Sequence, residues 1–181
     1  IEIANRTGAA IDFAATPYVL DDTKGDQLNF ANIVEGGLAA GDVGILYKLG
    51  AITPENMEAM WGSGLTYIPV NVWPSLTNSG SNTLAIWDSE TAYNSEPITG
   101  AGRTTQNSMA AITYDTATGQ GWPSVVDGSS IRLRSLTSNP NVGANWARSF
   151  IGDGAGTKRA TSIFQATVDH PGGDVGSPGI A

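Results

Sequence analysis

The chain has 181 residues, nine Lys and Arg against seventeen Asp and Glu, a formal net charge of −8, and no cysteine. That balance argues against a surface that tracks nucleic-acid phosphates, which needs clustered cations. The lack of cysteine excludes disulfides, thiolate metal sites and a Cys nucleophile. Hydrophobic residues make up 40% and charged residues 14%, a globular composition, and no apolar run approaches the roughly 20 residues of a membrane span.

Twenty-three Gly and nine Pro imply many turns and short strands. Alternation begins at once with Ile1-Glu2-Ile3, as though the segment were excised from a longer chain. Ala10 to Phe13, Tyr18 to Leu20, Leu28 to Val34 and Val43 to Tyr47 read as successive strands, with a Gly-rich turn at 36–41. The pattern breaks at AITPENMEAMWGSG. Thr53 is placed to cap a helix, Pro54 suits its first position, and Met57, Met60 and Trp61 recur at helical spacing before Gly62. A short helical insertion over about 53–61 is therefore expected, its Met-Trp face packed on the core.

Leu65 to Val72 and Ser81 to Trp87 follow as strands, Asp88 to Gly102 as a loop, then Met109 to Tyr114 and Ile131 to Leu136 as strands. One apolar run, Thr161 to Val168, comes late. Turn signals every ten or so residues indicate a sandwich or barrel, and no repeat or domain boundary is visible.

The segment GWPSVVDGSSIRL, residues 121–133, is a corner. Pro123 lacks an amide hydrogen, so a strand must end or bulge there. Trp122 can close one end of a core, and Asp127-Gly128 turns the chain. Trp122-Pro123, Asp127-Gly128 and Ser130-Ile131-Arg132-Leu133, preceded by Ile112-Thr113-Tyr114-Asp115, resemble the late signature of the lamin tail domain family. Asn145-Trp146 with Ser149, and Ser177-Pro178-Gly179, are similar to its closing motifs. The first hairpin (Glu2-Ile3, Asn5, Gly8, Ile11-Asp12) and the turn Gly37-Leu38 to Asp42 before Ile45-Leu46-Tyr47 agree with its beginning. The resemblance implies one immunoglobulin-like antiparallel β-sandwich over residues 1–181. It also implies an accessory role in a secreted or cell-surface, typically bacterial, protein. The helical insertion and the loops at 88–105 and 152–161 depart from the family pattern.

Catalytic chemistry finds little footing in these residues. His170 is the sole histidine, in the turn-rich VDHPGGD, and no Gly-x-Ser-x-Gly elbow occurs. Gly152 to Lys158 has Thr before Lys, the reverse of a Walker loop, and reads as a loop. Asp88 and Glu90 form a carboxylate pair on one solvent-facing side of a strand end, with no group to raise either pKa. Asn5-Arg6-Thr7 is a glycosylation sequon by pattern. Asp21, Asp22 and Asp26 are the candidate calcium ligands, as hard cations take oxygen donors from such loops. Lys24 offers to neutralise them without a metal, so a solvated acidic turn is expected and no tight site. Arg132, Arg134 and Arg148 are the candidates for a local cationic patch, against which the reading as scattered solvated charges is preferred.

The expectation is a non-catalytic interaction or anchoring module of a secreted or cell-surface protein, not itself an enzyme. It has no cofactor unless the loop of Asp21, Asp22 and Asp26 takes calcium, it binds a protein or surface polymer, and it does not bind nucleic acid. The alternatives are a structural matrix protein and an accessory domain of an extracellular hydrolase or nuclease.

Overall fold

The computed structural model describes residues 1–24, 28–77, 79–100, 102–117, 120–124 and 129–150, and the paired strands Lys158–Arg159 and Val175–Gly176. Among them the strands are β1 (Glu2–Ala4), β2 (Ile11–Asp12), β3 (Val19–Asp21), β4 (Gly37–Leu38), β5 (Val43–Lys48), β6 (Thr66–Val70) and β7 (Ser81–Trp87). They continue with β8 (Ile98–Thr99), β9 (Gly102–Arg103), β10 (Ala110–Asp115), β11 (Ile131–Leu133), β12 (Trp146–Arg148), β13 (Lys158–Arg159) and β14 (Val175–Gly176). Two short helices, α1 (Pro54–Trp61) and α2 (Glu90–Asn94), interrupt them. The fold is all-β and sandwich-like. One sheet runs β1-β5-β6, the other β10-β7-β3, and β2/β4, β8/β9, β11/β12 and β13/β14 pair separately.

Period-two alternation builds the core between the two sheets. Leu46, Ile68 and Val70 from the first sheet meet Leu20, Leu84 and Ile86 from the second, with Phe13, Tyr18, Ile33 and Leu38 filling in from the loops and β4. Each fully buried aliphatic side chain here contributes about 1.5–3 kcal/mol. Gly44 is required by the same packing, because a Cβ there would lie 2.7 Å from Ile68 Cδ1.

The helix falls where the sequence places it. Thr53 Oγ1 accepts from Asn56 N, Pro54 opens the helix, Gly62 N closes it on Glu58 O, and Met57 and Met60 are buried. Its consequence is topological: β5 and β6 are parallel, Ile45 opposite Tyr67, whereas the other pairs are antiparallel. Parallel neighbours cannot be joined by a tight hairpin, and the stretch containing α1 is the crossover between them.

Two expected features differ. Leu28 to Val34 is not a strand; only Ile33 bridges Tyr18. The Asn32 side chain takes the place that a strand would have beside β3. Its Nδ2 donates to Leu20 O and its Oδ1 accepts from Leu20 N, both at 2.8 Å, so one amide side chain copies a ladder rung. The same Nδ2 donates to Val72 O just beyond β6, and Asn71 N donates to Asn32 O.

The expected loop at Asp88 to Gly102 contains α2 and the β8/β9 hairpin. Ser89 Oγ caps α2 by accepting from Ala92 N. Glu90 is therefore not on a strand end with Asp88. It opens the helix, and its Oε1 accepts from Ala31 N at 2.7 Å. Helix α2 covers the outer face of the second sheet, where Val19, Ala85, Trp87 and Tyr93 form another core cluster. The Trp87 and Tyr93 rings meet edge to face at 4.9 Å, and Arg103 lies 4.0 Å from the Tyr93 ring while its Nη1 donates to Tyr93 O.

Two buried carboxyls hold this layer with opposite pH dependence. Glu96, 3% exposed, accepts from Trp87 Nε1, Thr104 Oγ1, Gln106 N and Asn107 N. Burial pushes its pKa up, but these donors outweigh burial and hold it below the ordinary 4.5. Its stabilisation is present above the unfolded value and is lost as pH falls through the lower folded one. Asp21 accepts from Tyr93 OH at 2.6 Å and from Asp22 N. Burial dominates there and raises its pKa above 3.8, so its contribution is greatest in acid and is lost as pH rises through the folded value.

Glu96→Gln is expected to cost about 2 kcal/mol at pH 7, since one oxygen must replace an ionised acceptor of several donors. Melting curves across pH 3 to 7 check this, with the variant's Tm falling less steeply toward acid than the parent's. Asn32→Ala is expected to cost about 3 kcal/mol by leaving Leu20 N and O without partners, lowering Tm on the order of 10 °C. Asn32→Asp keeps the shape but turns an oxygen toward Leu20 O and Val72 O. Chemical denaturation at pH 7 and pH 4 is expected to show this variant gaining stability in acid relative to the parent.

Candidate functional site

Strand β10 delivers Tyr114 to the surface beyond the second sheet, its hydroxyl held by the backbone of Thr77. Trp122 stands edge-on to Tyr114 with centroids 6.4 Å apart, and Trp146 packs against Trp122 at 5.9 Å, tilted by 34°. Trp146 is fixed by Nε1 donating to Pro140 O at 2.8 Å. What lets these rings meet is Gly143, in a single 3-10 turn before β12: a Cβ there would come within 2.6 Å of Trp122 N and 2.7 Å of Gly121 C.

The β11/β12 hairpin carries cations beside this aromatic row, with Ile131 opposite Arg148, Arg132 opposite Ala147 and Leu133 opposite Trp146. Arg134 N continues the ladder to Asn145 O, and its Nε donates to Ala144 O at 3.3 Å. The Arg148 guanidinium lies over the Phe150 ring, 4.4 Å from its centroid. At the hairpin's end Ser149 is buried and tied to Ser129 and Ser130.

The result is an open groove of about 550 Å³ walled by Trp122, Pro123, Arg132, Arg134, Trp146, Arg148 and Phe150, with no carboxylate among the described residues that line it. Three of the chain's nine Lys and Arg thus gather at one place on a molecule of net charge −8. The reading of these arginines as scattered is corrected. Arg132 and Arg134 are neighbours on one strand, and the hairpin register brings Arg148, further along the chain, beside them. Trp122 and Trp146 are largely covered, each leaving a minor part of its surface to wall the groove, and the fully buried tryptophan is Trp87. The Trp-Pro signal marked the right segment, but nothing in it distinguishes a ring that closes a core from one that walls a groove.

The candidate calcium ligands have other occupations. Asp21 and Asp22 are 3% and 4% exposed, and Asp22 Oδ1 accepts from Lys24 N. Both line a second groove of about 440 Å³ with Lys24, Trp73 and Pro74. Lys24 Nζ donates to Ser81 O. Among the described residues no group of three His, Asp or Glu side chains is placed to hold a metal. Asp26, Asp127-Gly128, His170, the 152–157 loop, the 161–168 run and 177–179 lie outside the described residues. Asn5 of the sequon is 3% exposed; its Nδ2 donates to Ala9 O, Leu38 O and Ala39 O, and its Oδ1 accepts from Thr7. Glycosylation of the folded chain there would remove one Nδ2 hydrogen and force a bulky sugar into a buried, hydrogen-bonded position.

Compared with protein-family models, with curated proteins and with solved structures, the chain matches none.

Gly143→Ala is expected to separate the 121–122 backbone from the turn before β12 and so to part the two indoles. Intrinsic fluorescence is expected to shift to the red while Asn32 and the sandwich core keep the global fold. An unchanged emission maximum would show that the contact does not hold Trp122 in place.

Proposed function

We propose that this chain is a non-catalytic interaction module of a secreted or cell-surface protein, and that its binding face is the groove between Trp122, Trp146, Arg134 and Arg148. The observation that carries the reading is the concentration of fixed rings and guanidinium groups on an acidic molecule. Such a face attracts an anionic partner locally, while the remaining surface repels polyanions at longer range.

The resemblance to the lamin tail family supports the accessory role. Three of the residues that carry it, Tyr114, Trp122 and Trp146, form one continuous aromatic row, two of them in the groove wall. Low Lys content with abundant Gly supports the surface setting, and the partner is a protein or a surface polymer. The groups whose pKa values depart most in the second layer, Asp21, Tyr93 and Glu96, are engaged in hydrogen bonds that hold α2, which is a structural occupation.

The test is a binding panel of acidic and neutral surface polymers and acidic proteins, with each ligand re-examined for cleavage after incubation. At least one is expected to bind, to be recovered intact, and to bind Arg148→Ala about tenfold more weakly, the equivalent of one charge-assisted hydrogen bond. No binding by any member, binding unaffected by the substitution, or cleavage of the bound ligand would each overturn the reading.

A further inference from the structure

We infer that the groove holds an acidic polysaccharide, a chain of sugar rings carrying carboxylate or sulfate groups. The inference rests on the reading of the groove as the binding face and adds the chemistry of its occupant. Three features of the groove point the same way.

The first is what the rings still offer. Trp146 has its indole N–H bonded to Pro140 O, so it presents carbon surface to the groove and no donor. Trp122 leans on it at 34°, extending that surface. Flat carbon walls match the C–H faces of sugar rings, which pack on aromatic side chains through apolar contact while their hydroxyls stay in water.

The second is the state of the cations. Among the described residues, Arg134 makes its one side-chain hydrogen bond through Nε, to Ala144 O, which orients the guanidinium and leaves the terminal Nη pair facing other partners. Arg148 is held by its flat face against Phe150, so its N–H edge is the part left to a ligand. A planar fork of this kind matches carboxylate or sulfate in a two-point contact. Anchoring through stacking and backbone contacts also reduces the ordering entropy that a free arginine loses on binding.

The third is the charge around the groove. Nucleic acid carries about one charge per 1.7 Å of duplex, and its affinity comes from neutralising many phosphates at once. A molecule of net charge −8 that gathers only three of its nine Lys and Arg at this groove repels such a polymer beyond the contact site. A polysaccharide with one carboxylate or sulfate per ring spaces its charges more widely than a duplex does. A protein partner takes most of its affinity from side chains anchored in closed pockets. This groove is open and lined by exposed or half-buried residues, with Phe150 at 53% exposure, which suits a chain of rigid rings lying along it.

The experiment uses the chain of residues 1–181 with four probes: an oligogalacturonate of defined length, the same oligosaccharide after carboxyl reduction, a poly-glutamate peptide, and single-stranded oligothymidine. Calorimetry reads affinity and tryptophan fluorescence reads contact with the indoles. The oligogalacturonate is expected to bind and to change the emission. Its affinity is expected to fall at least tenfold on carboxyl reduction and in Arg134→Ala and Arg148→Ala, and less in Arg148→Lys, which keeps charge but not the fork. Melting curves identify any variant that fails to fold, and Arg148→Lys then supplies the comparison. If poly-glutamate or oligothymidine binds through these arginines while the oligogalacturonate does not, the polysaccharide inference fails and the binding face stands. If the reduced sugar binds as well as the acidic one, the inference also fails. If no probe depends on either arginine, both fall.

Discussion

The side chain of Asn32 is the point through which the two sheets are tied. It has no exposure to solvent, pairs with both backbone groups of Leu20 in β3, and reaches Val72 at the exit of β6. Hydrophobic contact between the sheets is strong but not directional, and it would tolerate a slide of one sheet over the other. A buried amide with its donors and acceptor all engaged does not tolerate it, since a slide strands polar groups in an apolar interior. Register between the layers is therefore set by a polar group, and the fit of Leu46, Ile68 and Ile86 follows from it.

The same logic governs the outer layer at α2. Helix α2 is five residues long, far too short to be stable alone. It exists because Tyr93 fills the space against Trp87 and because Asp21 and Glu96 accept buried donors on its two flanks. Burying two carboxyls is costly, and the environment resolves the cost in two ways: Glu96 is kept ionised by several donors, whereas Asp21 is pushed toward its neutral form by burial. Asp21, weighed in the sequence as a calcium ligand but expected in a solvated turn, is thus buried as part of the foundation of α2. Thr23, at φ 63°, and Gly102, whose Cβ position would overlap Thr23 O, show how closely the β8/β9 hairpin is pressed onto it.

What could be read from sequence divides along these lines. Alternation gave Ser81 to Trp87 as a strand with its observed bounds, and capping chemistry gave α1, because both signals are local. Leu28 to Val34 misled for a definite reason: its apolar content serves the core, yet the pairing it would need as a strand is made by a side chain. Helix α2 was missed because five residues cannot display a 3.6-residue period, although Ser89-Glu90 did carry a capping signal. The parallel pairing of β5 with β6 was available in principle once a helix was placed between two strands.

The groove was the least legible part, and the reason lies in how it is assembled. Its walls come from three segments: the corner at 121–123, the hairpin strand at 131–134 and the stretch from 144 to 150. Their meeting depends on Gly143 having no side chain and on the β11/β12 register, neither of which leaves a periodic trace. Arg132 and Arg134 look like ordinary surface residues of a strand, and Arg148 looks like another. Opposed across a hairpin, and next to indoles fixed by backbone contacts, they become a concentrated positive site on a negative molecule. A buried amide and a set of buried acids anchor the sandwich, while the hairpin stands beyond the main sheets, where Arg134 and the nearby Phe150 are exposed to solvent. That division explains how a chain can commit nearly all its polar burial to architecture and still present one chemically distinct face.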